Sequence, residues 1–184
     1  MKKTILTLLV AVAFVFNIQA QEESQGFKGA WWGLAAGSYT NTEGSDAVFT
    51  LLPAVGNFIS PTVTVGGALG YTNAIGNTDT FIVKPLARKY WGVTDKFFIF
   101  GEANVPLLFN ENFNGYGFNI EPGIDYFIGG KWTIEAKFGR FGYNVIKPDG
   151  GDSVGTTSLG FNMFDSQTQE GLGSGLTLGL KYIF

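Results

Sequence analysis

The chain has 184 residues, 12 basic against 15 acidic, a formal net charge of −3, and neither histidine nor cysteine. The acidic balance speaks against a nucleic-acid partner, the missing cysteines exclude a disulfide framework, and the missing histidines remove the usual general base for chemistry near neutral pH. With 27 glycines, 16% aromatic residues and few long helical runs, the composition points to a β protein.

The first residues have a three-part form. Met1-Lys2-Lys3 is basic, Ile5 to Ile18 is apolar, and Ile18-Gln19-Ala20 before Gln21 ends on the small residue that a cleavage site requires. The apolar run is shorter than the ~20 residues of a helical anchor, and no cysteine follows it, which excludes a lipid-anchored form. The expected organisation is a signal peptide at 1–20 and one domain at 21–184.

Phe27 to Thr40 is expected as a first strand, with its outward face ambiguous because Trp31 and Trp32 point oppositely; Val48 to Ile59 is apolar on both faces, so its register is open. From Thr62 the alternation of a half-buried strand is clean. Val63, Val65, Leu69 and Tyr71 oppose Thr64, Gly66, Ala68 and Gly70. In Thr80 to Trp91, Phe81, Val83, Pro85, Ala87 and Trp91 oppose Lys84 and Arg88, while Lys89 falls on the apolar face near its end, placed to snorkel. Lys96 to Phe109 sets Phe97, Ile99, Ala103 and Val105 against Glu102 and Asn104. Gly115 to Ile128 sets Tyr116, Phe118, Ile120, Ile124, Tyr126 and Ile128 against Asn119, Glu121, Gly123 and Asp125. After the Gly129-Gly130 hairpin signal, Lys131 to Tyr143 sets Trp132, Ile134, Ala136 and Phe138 against Thr133, Glu135 and Lys137.

Asn144 to Glu170 reads as a long connection, in which Thr156 to Phe164 is either a strand reaching beyond the sheet or the start of the last strand with a bulge. Gly171 to Phe184 closes the count at eight, with Leu178, Leu180, Tyr182 and Phe184 on one face and Gly179 and Lys181 on the other. Connections after the even strands are short and those after the odd strands are generally longer. The expected fold is an all-β, eight-stranded antiparallel up-and-down transmembrane β-barrel, apolar outside and polar inside, preceded by the cleaved signal peptide.

Pro53, Pro85 and Pro122 each precede an aromatic by five positions on the strands expected to descend, which suggests a shared bend. The Pro-x4-aromatic repeat, Arg88-Lys89-Tyr90-Trp91 and the closing Gly179-x-x-Tyr182-x-Phe184 resemble the small Bacteroidota-type outer-membrane β-barrel family, related in architecture to OmpA and OmpX barrels. Thr177, Gly179, Tyr182 and Phe184 resemble the insertion signal read by the barrel assembly machinery. The resemblance implies a porin-like outer-membrane protein of the Gram-negative envelope, both termini periplasmic, with lipid and lipopolysaccharide as surroundings and an envelope or extracellular protein as a candidate partner.

If the apolar faces meet lipid, Lys84, Arg88, Lys137 and Lys181 share a lumen with Glu102, Glu121, Asp125 and Glu135, four charges of each sign. Buried charges must pair, and an eight-stranded interior is just wide enough for side chains to fill, so a closed, charge-locked core is expected, with a narrow gated conduit as the alternative. Arg140, on the apolar parity, is placed to contact lipopolysaccharide phosphate. Enzymes of this scaffold that rely on histidine are excluded, the carboxylates come without a substrate-shaped motif, and no phosphate loop or metal-ligand spacing occurs; no catalysis, cofactor or metal is expected. The predicted outer loops are acidic, with Glu43, Asp46, Asp79, Glu111, Asp149, Asp152, Asp165 and Glu170 against Lys147. The expected role is structural or interactive, through display of these loops. The alternatives are a narrow channel or lateral transporter for small or hydrophobic solutes, a secretion-machinery subunit, and a soluble periplasmic ligand-binding barrel.

Overall fold

A computed structural model of the chain describes residues 26–40, 48–75, 78–160 and 177–184. The expected signal peptide, the loop at 41–47 and the segment 161–176 lie outside the described residues. Twelve strands are described: β1 (Trp31–Thr40), β2 (Val48–Leu51), β3 (Ala54–Phe58), β4 (Val63–Ile75), β5 (Thr78–Gly92), β6 (Phe97–Asn104), β7 (Leu107–Phe109), β8 (Phe113–Gly129), β9 (Trp132–Lys137), β10 (Arg140–Pro148), β11 (Val154–Gly160) and β12 (Thr177–Ile183). Every pairing is antiparallel. Starting from β1, the ladder runs through β2 and β3 to β4, then β5, β6 and β7, β8, β9 and β12, and β12 pairs with β1 again.

The breaks between consecutive strands follow the prolines. β2 and β3 both lie between β1 and β4, and the gap between them holds Pro53. Its carbonyl accepts from Leu69 N at 3.1 Å; the Pro85 carbonyl accepts from Val105 N, and that of Pro122 from Phe138 N, each at 3.1 Å. Pro53 interrupts its own strand, Pro85 faces the gap between β6 and β7, and Pro122 faces the gap between β9 and β10. The repeat read in the sequence therefore marks three ladder interruptions, as expected of a residue without an amide donor.

Two short turns repeat the same chemistry. Ser60 Oγ accepts from Thr62 N and Val63 N, and Thr94 Oγ1 accepts from Lys96 N and Phe97 N. The third, at Gly129-Gly130, uses a left-handed glycine, Gly130 with φ 55°.

The ambiguous first strands resolve through one contact. Trp31 points outward and is half exposed, whereas Trp32 is fully buried. The Trp32 ring lies where a Cβ on Gly56 would stand, so Gly56 must face inward, and Val55 and Ile59 face outward. Phe27 departs from expectation: residues 26–29 form a turn rather than the start of β1. Gly26 (φ 41°) and Gly29 (φ 87°) bracket it, and Ala30 N donates to the Phe27 carbonyl at 2.8 Å.

The long connection is also shorter than expected. Asn144 to Pro148 continue β10, and β11 returns antiparallel along it, Arg140 facing Gly160 and Ile146 facing Val154. β11 and β12 lie on the same edge of the β9–β10 run, β11 on β10 and β12 on β9. The chain that would join β11 to the last strand lies outside the described residues.

Candidate functional site

The inward residues form layers. Nearest the short turns lies an aromatic layer of Phe27, Phe58, Phe98 and Phe127. The Phe27 ring stacks on Phe127 with centroids 5.6 Å apart and an interplanar angle of 5°, and contacts Phe58 at 5.4 Å and Phe98 at 6.3 Å. Phe58 and Phe100 both meet Tyr90, at 5.6 and 5.4 Å.

The next layer is ionic. Arg88 and Glu102 are directly opposite on β5 and β6, with Arg88 Nε donating to Glu102 Oε2 at 2.6 Å and Nη1 to Glu135 Oε2 at 2.5 Å. The guanidinium lies over the rings of Trp32 and Phe100, at 4.7 and 5.0 Å from their centroids, so two aromatic rings add cation–π attraction to the ion pairs. Lys84 reaches Glu102 at 3.4 Å and Glu121 at 4.0 Å; Lys137 reaches the same two carboxylates at 3.5 and 3.0 Å. Lys181 pairs with Asp125, donates to the Tyr90 hydroxyl at 3.1 Å, and lies 3.7 Å from Glu135. All eight lumen residues picked from the sequence fall into one connected set.

A ninth member was assigned to the wrong face. Arg140 does not point outward: its Nε and Nη2 each lie 3.0 Å from Glu121 Oε1. Gly123 faces Lys137 on β9 and Ile120 faces Phe141 on β10, so the five residues 137–141 on one run oppose the four residues 120–123 on the other. This is a β-bulge, and Gly139 at φ 105° occupies it. The bulge shifts the side-chain parity by one, turning Arg140 inward and Tyr143 outward. Five cations therefore meet four carboxylates rather than the equal numbers expected.

Above the charges sits an amide layer. Asn119 and Asn144 exchange side-chain hydrogen bonds at 3.2 and 3.0 Å, Asn119 Nδ2 donates to Asn104 Oδ1 at 3.4 Å, and Asn104 Nδ2 donates to Glu102 Oε1 at 2.9 Å. An apolar layer of Ile82, Leu108 and Phe113, with Leu52 and Ile146 packed on it, follows. The ionic set is thus enclosed between an aromatic layer and an aliphatic one. Among the described residues, no group of three or more Asp or Glu side chains is arranged to hold a metal ion.

The outer face carries two rings of aromatics. One, near the short turns, holds Trp31, Trp91, Tyr126, Trp132, Tyr182 and Phe184; the other holds Phe49, Tyr71, Phe81, Phe109, Tyr116 and Tyr143. Between them lie mostly small and aliphatic residues, together with Phe118 and Lys89.

The four closing positions read as an assembly signal sit on the seam. Thr177 faces Lys137, Gly179 faces both Glu135 and Ala36, and Tyr182 faces Trp132 and Gly33. The Tyr182 ring lies 4.8 Å from that of Trp132 and 5.9 Å from that of Phe184.

The overall arrangement is similar to the N-terminal β-barrel domain of OprF from Pseudomonas aeruginosa, with a TM-score of 0.52 at 10% identity, over 85% of this chain and 98% of that domain. No family model and no curated protein matches the sequence. At this identity the likeness concerns the fold alone.

The aromatic layer and Arg140 were missed from sequence. Of the amide layer, period-two parity set Asn104 and Asn119 on the faces of Glu102 and Glu121, and Asn144, read as part of the long connection, was not placed. The bulge at Gly139 leaves only a weak sign, a lone glycine interrupting an alternating run.

Proposed function

We propose that the chain is an eight-stranded outer-membrane barrel without catalytic activity, which holds its acidic hairpin and loop tips outside the cell on a closed, charge-locked cylinder. The observation that carries this reading is the inversion of polarity. The outer face is apolar between two aromatic rings, while the interior holds nine paired charges. A soluble ligand-binding barrel requires the opposite arrangement.

The strand number follows from joining β2 with β3, β6 with β7, β9 with β10 and β11 with β12 as single crossings. On β5, Trp91 lies ten residue steps beyond Phe81, about 33 Å along a strand and about 25 Å at a tilt of ~40°, the height of the apolar band of such barrels. The short turns and both ends of the domain then belong in the periplasm. The likeness to the small Bacteroidota family rests on the proline repeat and the closing aromatics. The barrel assembly machinery would be the partner that reads those aromatics, and lipopolysaccharide would surround the upper ring.

The enclosing layers support a closed interior over a channel. Planar-bilayer recording on the purified monomer tests it: no steady current is expected, and sustained conductance would replace the closed core by the narrow-channel reading. Retention in the membrane through a carbonate wash tests the location.

A further inference from the structure

Among the described residues, Lys89 is the one charged side chain on the outer face between the aromatic rings. Its Nζ donates to Thr62 Oγ1 at 2.5 Å, so the ammonium is drawn toward the Ser60–Val63 turn. Its neighbour on β6 is Gly101, where the Trp91 ring lies 3.7 Å from the position a Cβ would take. Lys28, Lys96 and Lys131 are exposed at the same end, with Asp95 the one acid among the described residues there, and Trp31, Trp91 and Trp132 stand about half exposed beside them. At the opposite end Asp79, Glu111, Asp149 and Asp152 are exposed against Lys147. The two ends carry opposite charge.

We propose that the basic rim at the short-turn end binds the headgroups of anionic phospholipids, with Lys89 as the phosphate contact nearest the apolar band. This rests on the membrane reading above. An ammonium just inside an aromatic belt reaches for the headgroup layer, and a phosphodiester there supplies the counter-charge that the outer face lacks. The acidic opposite end repels the same headgroups. Phospholipid rather than lipopolysaccharide is the partner, because the reading sets the short turns in the inner leaflet.

The full folded protein would be placed in nanodiscs of phosphatidylcholine alone, with phosphatidylglycerol added, or with lipopolysaccharide added, and retained lipids counted by native mass spectrometry. Phosphatidylglycerol is expected to be retained over phosphatidylcholine, and Lys89→Gln to lower that preference about fivefold, as one lysine at an anionic surface contributes. Lys147→Gln is expected to leave it unchanged. Heat-modifiable migration checks that each variant is folded. Equal retention of the two phospholipids, an unchanged preference in Lys89→Gln, or preferential retention of lipopolysaccharide overturns the proposal while leaving the membrane reading standing. A folded chain that enters no disc overturns that reading itself.

Discussion

Arg88 and Glu102 face each other across β5 and β6 with 2.6 Å between Nε and Oε2, and neither side chain is more than 1% exposed. Such a pair is held by its surroundings as much as by its own attraction, since desolvation of two ions offsets most of the Coulombic gain. Those surroundings are a second carboxylate, Glu135, and two aromatic faces, Trp32 and Phe100.

Removing one partner is therefore costly. Arg88→Met is expected to destabilise the folded barrel by about 3–5 kcal/mol, read by urea unfolding in detergent micelles. The methionine fills part of the space between Trp32 and Phe100, but Glu135 is left with Lys181 at 3.7 Å. Combining Arg88→Met with Glu135→Gln should cost less than the two single changes added together, because the second removes a carboxylate whose nearer cation the first takes away. Strict additivity would mean that the two residues are not coupled.

Phe27 closes the mouth of the lumen. Its ring stacks on Phe127 and touches Phe58 and Phe98, and Gly29 at φ 87° aims the preceding residues back into the barrel. Phe27→Ala is expected to speed deuterium exchange at the amides of Phe58 and Phe127 while leaving those of the outer tips unchanged. Gly29→Val, which disfavours the left-handed backbone, should give the same pattern with Phe27 intact. Unchanged exchange in both would mean that the ring does not seal this end.

The bulge at Gly139 can be read by accessibility. Spin labels at Arg140→Cys and Tyr143→Cys in lipid vesicles should differ: the label at 143 collides freely with oxygen dissolved in the bilayer, whereas the one at 140 is shielded within the barrel. Deleting Gly139 should leave both behaviours in place, because without the extra residue a strict period of two carries the inward face from Lys137 directly to position 140. Equal oxygen collision at the two positions would show that the parity shift does not exist.

How far the sequence revealed this arrangement depended on how regular each run was. From Val63 to Lys137 the period of two holds strand by strand, so Lys84, Arg88, Glu102, Glu121, Asp125, Glu135 and Lys137 could be assigned to one interior by counting, and Lys181 by the same rule at the last strand. Arg140 could not, because one inserted residue at a glycine moves every later side chain to the other face. Nor could Trp32, whose inward direction depends on the side-chain space left free at Gly56, a long-range contact with no local signature. Phe27 looked like strand because it is apolar and precedes Trp31. Its true position is set by two left-handed glycines and by rings contributed from β3, β6 and β8. Local alternation carried the charged layer; packing between distant strands carried the layers that enclose it.

The seam formed by β1 and β12 is where closure is expected to fail first. Five residue pairs join these strands, from Trp32 facing Ile183 to Ala36 facing Gly179, and the ladder extends at its lower end through Phe184 N to Trp31 O at 2.8 Å and Trp31 N to Phe184 O at 3.2 Å. Tyr182 adds its ring to the lower aromatic belt against Trp132, and Ile183 is buried within the inner cluster with Trp32 and Phe58. Deleting Tyr182 to Phe184 removes two of the five register pairs, both terminal hydrogen bonds and a buried aliphatic contact together, leaving β1 with an unpaired lower edge that the apolar bilayer cannot solvate. On the expectation of a signal peptide at 1–20, export should proceed while membrane assembly is lost. Fractionation should then find the truncated chain in the periplasm and migrating as unfolded whether or not it is heated. A truncated chain that is membrane-retained and heat-modifiable would show that the seam closes without these residues.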